Sequence, residues 1–169
     1  MEIEFLPSDA AATGHWVVVA DGERARVFES HRHAPGLRPV LPYDLMVNQL
    51  RDGERWSDRA GNVKERANNV MHSMAAPTDP KEHESDLLAK QVADVLRQGR
   101  VEHRVESIVL VAAPAFLGRL RQALDTQTRS LVVAEDARDL SRLPEHELEE
   151  RIPTEAWPNG EPPPRRRTG

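Results

Sequence analysis

Four carboxylates in this chain could support metal-dependent chemistry. Asp21 ends an apolar run, and Glu82, Glu84 and Asp86 lie on a helical stretch. Nucleases and related hydrolases hold divalent cations between acids gathered at strand ends, and the central strand is expected to supply one more. Here that position reads Ala112-Ala113-Pro114. Asp21 equally suits a hairpin turn and Glu82 a helix cap, so the structural roles are preferred. A metal-dependent hydrolase or nuclease is kept as the alternative function, and no metal or cofactor is assigned.

The seven histidines form no triad. His31 and His33 are spaced to share an ion, but one H-x-H without a third ligand has little specificity, and a polar turn is preferred. His83 and His103 read as solvent-facing helix and linker positions. There is no G-x-S-x-G, Walker A or G-x-G-x-x-G motif, so serine hydrolase, P-loop and dinucleotide-binding chemistries lack their anchors.

The stretch 48–78 is the best candidate site. Arg51, Arg55, Arg59, Lys64 and Arg66 are partly offset by Asp52, Glu54, Asp58 and Glu65. A loop of this length is unusual in a compact domain unless it is functional or disordered. Asn68, Asn69, His72 and Met74 lie just before a helix start, whose free N–H groups favour anions. The candidate functional residues are Arg55, Asp58, Arg59, Arg66, His72 and Met74, with RNA or the ribosome as the expected partner. A mixed-charge surface loop is the plainer reading.

The elements that must position these residues follow from hydrophobic periodicity. Residues 15–20 form a β-branched apolar run, Asp21-Gly22 follows, and 24–28 alternates as a half-buried strand, a strong hairpin signal. Val40 to Val47 predicts a third strand, pushed to a sheet edge by Pro39 and Pro42. Asp79 as N-cap, Pro80 at the first position and Glu82 two residues later start a helix. Leu87, Leu88, Val92, Val95 and Leu96 are its apolar stripe, and Gly99 is placed to stop it. Residues 107–113 read as a central strand covered on both faces. Pro114 opens a second helix that buries Phe116, Leu117, Leu120 and Leu124. Leu131–Ala134 is a short strand, and a last helix begins at Pro144 and ends at Pro153.

The predicted order is β-β-β-α-β-α-β-α, an α/β fold with a mixed sheet in which an antiparallel meander joins parallel strands through helical crossovers. Three regions are expected: a flexible extension at 1–14, one α/β domain at 15–152 with its long loop at 48–78, and a Pro/Arg-rich tail at 153–169. The 169 residues contain no cysteine, which removes disulfides, thiolate metal sites and cysteine nucleophiles. No apolar run is long enough to span a bilayer, and the acidic start, Glu2 and Glu4, does not read as a secretory signal. A cytoplasmic protein without membrane contact is expected. The net charge is -5, so nucleic-acid contact, if made, is local rather than spread over a basic face.

Four segments resemble the host-attachment protein family: Asp21 to Phe28, Asp58 to Gly61, Thr78 to Glu84 and Leu110 to Arg121. The resemblance runs from about Trp16 to Ile152. That family is similar to bacterial and archaeal relatives of the middle domain of peptide release factors, whose strand order, shared with ribonuclease-H-like folds, matches the order predicted above. True release factors carry Gly-Gly-Gln before the long helix. Residues 67–76 contain neither Gly nor Gln, so the resemblance implies a non-catalytic binding protein linked to translation rather than peptide release. A protein–protein interaction factor in attachment to host cells is the other function the family description implies.

Overall fold

The computed structural model describes residues 3–8, 13–31, 34–47 and 79–162. Its strands are β1 (Gly14–Ala20), β2 (Arg24–His31), β3 (Ala34–Pro39), β4 (Leu45–Met46), β5 (Val105–Ala112) and β6 (Val132–Asp136). Its helices are α1 (Pro80–Val101), α2 (Pro114–Ala123), α3 (Thr126–Arg129) and α4 (Glu145–Arg151), followed by a 3-10 turn at Thr154–Ala156. The class is mixed α/β. The sheet runs β3-β2-β1-β5-β6, with β4 paired to β2. β1 is antiparallel to β2 and parallel to β5, and β5 is parallel to β6.

β1 and β5 carry apolar residues on both faces because both faces are covered. Trp16, Val18, Ile108 and Leu110 pack with Leu88, Val92, Val95 and Leu96 of α1 and with Phe116, Leu117 and Leu120 of α2. Val17, Val19, Val109 and Val111 pack with Leu148 of α4 and with Ile152, Ala156 and Trp157. The result is a sheet between two helical layers. Among the described residues, no helix is long and apolar enough to cross a membrane.

Several expectations are corrected. The third strand, predicted over Val40–Val47, is divided: β3 lies earlier, with Phe28 opposite Pro39 and Glu29 opposite Arg38, and only Leu45–Met46 pairs within the predicted span. Proline has no N–H to give a ladder, so Pro39 ends one strand and Pro42 sits in the bend before the next. With β4 and the short α3, the element order is longer than the predicted one.

Gly99 does not end α1. It is buried inside the helix, where a Cβ would stand 2.3 Å from the Trp16 ring, so it is needed for close approach. The helix runs on to Val101 and is closed by His103, which takes φ 56°. The amides of His103 and Arg104 donate to the carbonyls of Arg100 and Gly99, a Schellman closure with histidine in the left-handed position usually held by glycine.

The two ends of the described chain also pack more than the sequence suggests. Ile3 and Phe5 lie against the core, and beyond Pro153 the 3-10 turn brings Ala156 and Trp157 into the second core layer. A short polar or proline-rich composition hides such anchors, because a single aromatic is enough to dock a segment.

Candidate functional site

The site begins where β1 ends. Ala20 is fully buried, and the next residue starts the turn into β2. The Asp21 amide donates to the Arg24 carbonyl, and Asp21 Oδ1 accepts the amides of Glu23 at 2.7 Å and Arg24 at 2.8 Å. The side chain thus closes its own turn. Gly22 allows α1 to approach: Ser85 Oγ donates to the Gly22 carbonyl at 3.0 Å, and a Cβ on Gly22 would lie 2.9 Å from that oxygen.

The other wall comes from the connection between β6 and α4. The Ser141 hydroxyl stands 2.6 Å from Asp21 Oδ2 and 2.7 Å from Asp139 Oδ1, while the Ser141 amide donates to Asp139 Oδ1 at 3.1 Å. Arg26, its guanidinium stacked 4.9 Å over the Phe28 ring, donates to the Leu143 carbonyl and fastens the same connection to β2.

Together these elements enclose a cleft of about 670 Å³. It is lined by the turn (Asp21, Gly22, Glu23), by Met46 and Val47, by Lys81, Glu84 and Ser85 of α1, and by Asp139 and Arg142. It opens beyond the carboxyl ends of β1 and β6, where open α/β sheets place their ligand sites. Four of the lining residues are acids and two are bases, so the lining is acidic on balance. Burial alone would raise the Asp21 pKa. The Ser141 hydroxyl, the two turn amides and the nearby Arg142 charge outweigh it and hold the carboxyl below its ordinary value.

The candidate residues Arg55, Asp58, Arg59, Arg66, His72 and Met74 lie outside the described residues. The described chain leaves for that stretch at Val47 and returns at Asp79, two residues before Lys81, so Val47 and Lys81 at its two flanks both line the cleft. Of the acids considered for metal chemistry, Asp21 and Glu84 line the cleft. Asp86 instead pairs with Arg119, and Glu82 is exposed, its carbonyl accepting from Arg119. Among the described residues no group of three or more metal-binding side chains forms. His31 sits 3.3 Å from the buried Glu29, and His33 lies outside the described residues.

Asp139, Ser141 and Arg142 were not legible as site residues, being about 120 positions from Asp21. The one signal that could have found them is positional, since they follow directly after a parallel strand.

No curated protein matches the chain. A family model described as "Protein required for attachment to host cells" matches residues 16–152, from β1 to just past α4 and including both walls of the cleft. Since that match covers well over half of the sequence, the chain belongs to the family described as protein required for attachment to host cells.

Proposed function

We propose that this member of the host-attachment family is a non-catalytic binding protein of the cytoplasm, and that its partner is a ribonucleoprotein such as the ribosome. The observation that carries the first half is the state of Asp21. Both of its oxygens are engaged, one by two turn amides and the other by Ser141. A general base needs an oxygen within reach of a substrate proton, and this carboxylate is committed to holding two segments together. The cleft hydroxyls are committed as well, Ser85 to the Gly22 carbonyl and Ser141, with its one proton, to either Asp21 or Asp139.

Charge supports the second half. The cleft lining is acidic on balance, whereas residues 48–78 bring Arg51, Arg55, Arg59, Lys64 and Arg66 against Asp52, Glu54, Asp58 and Glu65, a slight positive excess. An acidic cleft suits basic protein segments and clustered cations suit phosphates, a pairing that a ribonucleoprotein offers on one surface. The resemblance to release-factor middle domains, and to their ribonuclease-H-like strand order, points the same way. The family's attachment phenotype then follows indirectly from an intracellular binding event.

The test is a pull-down of the tagged protein from its native cell at low salt, read for protein and RNA. Ribosomal proteins and RNA are expected with the wild type, and their loss is expected when Arg55, Arg59 and Arg66 are changed together to Ala. Capture of a protein partner without RNA, or RNA binding indifferent to those arginines, overturns the ribonucleoprotein reading. Metal-dependent turnover of a phosphodiester by the purified protein overturns the non-catalytic one.

A further inference from the structure

The N-terminal residues 3–8 precede the part of the chain that matches the family model, yet they are bound to the domain at several separate points. The Leu6 amide donates to the Val40 carbonyl at 2.9 Å. Arg104 donates to the Leu6 carbonyl at 2.9 Å and stacks 4.8 Å over the Phe5 ring. Phe5 meets Trp16 edge to face, with ring centroids 5.6 Å apart. Ser8 Oγ lies 3.4 Å from His31 Nε2. The segment therefore crosses from the end of β3 to the start of β5, covering one side of the Trp16 indole.

Trp16 itself is in an unusual state. It is fully buried, its six-membered ring lies against Gly99 of α1, and among the described residues its Nε1–H has no hydrogen-bond partner. A buried donor left unpaired is a standing cost to the closed state. Movement of a segment that covers the indole would let water reach that donor. β1 and α1 cannot move without breaking the core, since Trp16 lies on a central strand paired on both sides. Residues 3–8 are held by few hydrogen bonds and by half-buried apolar side chains, of which Ile3 and Phe5 pack against the core. Segments with few buried contacts are the ones that open locally.

We propose that residues 3–8 form a releasable strap over the Trp16 indole, opening as a unit while the sheet stays folded. Opening breaks the Leu6–Val40 bond, lifts Phe5 off the indole and hydrates the Trp16 N–H.

Hydrogen exchange by NMR on the full chain tests this directly, with the Trp16 indole signal assigned by its loss in Trp16→Phe. If the strap opens as a unit, the Leu6 amide and the Trp16 indole N–H share one protection factor. Both then exchange at least about 100-fold faster than central-strand amides such as Val18, as sub-global opening requires. Phe5→Ala is expected to speed Leu6 and indole exchange together by about tenfold and leave Val18 unchanged. An indole N–H that tracks Val18 rather than Leu6 overturns the proposal. So does a Phe5→Ala variant that speeds all three equally, because that is global destabilisation and not release of a strap.

Discussion

The Ser141 hydroxyl stands 2.6 Å from Asp21 Oδ2 and thereby ties the connection after β6 to the turn after β1. One proton on Ser141 faces two carboxylate oxygens, the second being Asp139 Oδ1 at 2.7 Å. A hydroxyl donates one hydrogen bond at a time, so the two walls of the cleft compete for it.

Ser141→Ala removes that tie. A hydrogen bond to a charged group contributes about 1.5–3 kcal/mol, and Asp21 keeps its two turn amides, so a loss of about 1.5 kcal/mol is expected in urea unfolding at pH 7. The pH dependence has a definite sign. Asp21 is held below its ordinary value of 3.8, so its contribution is complete above that value and is lost as pH falls through the lower folded value. The gap between wild type and Ser141→Ala should therefore narrow on acidification below pH 3.8. A gap that is constant across this range would show that the Ser141 bond does not favour ionised Asp21.

Gly22→Ala tests the approach of α1 to the turn. The new Cβ would lie 2.9 Å from Ser85 Oγ, which must swing away and give up the Gly22 carbonyl. A loss of about 1 kcal/mol is expected, the net value of one neutral hydrogen bond. Gly22→Ala combined with Ser85→Ala should cost less than the sum of the two single changes, since both remove the same contact. Additive losses would mean that the two residues are not coupled.

Gly99→Ala sets two effects against each other. Alanine within a helix gains about 1 kcal/mol over glycine, but here the methyl group would stand 2.3 Å from the edge of a fully buried indole. Overpacking a filled core costs about 1–3 kcal/mol, sometimes more, and with Phe5 already against that ring a net loss of about 2 kcal/mol is expected. Thermal unfolding that shows stabilisation would remove the close-packing argument for this glycine.

His103→Gly should stabilise the protein. His103 holds φ 56° at the end of α1, a conformation that costs a side-chain-bearing residue about 1 kcal/mol and glycine almost nothing. The exposed imidazole loses little by removal. A gain of about 0.5–1 kcal/mol is expected, read as a rise in the urea midpoint at unchanged slope.

How much of this was written in the sequence depends on the range of the interaction. The β1–β2 hairpin, the Asp79 cap with Pro80, the apolar stripe of α1 and the doubly buried β5 are local patterns. Periodicity and capping chemistry decide them within a few residues, and the mixed α/β class follows from their succession. The family resemblance was likewise carried by contiguous segments, and the family match spans the same part of the chain. Local pattern was also misleading where it had two explanations. A glycine near a helix end signals a stop, but Gly99 is small because Trp16, 83 positions earlier, occupies the space its side chain would need. The division of the third strand depended on which residues β2 chose as partners, a matter of register between strands. Only the tertiary structure brought Asp21 to Ser141 and Ser85 to Gly22, and so made a cleft from three distant segments. Hydrogen bonds to small polar groups leave no periodic trace in a sequence, because one serine and one aspartate can meet from any separation that the sheet order allows.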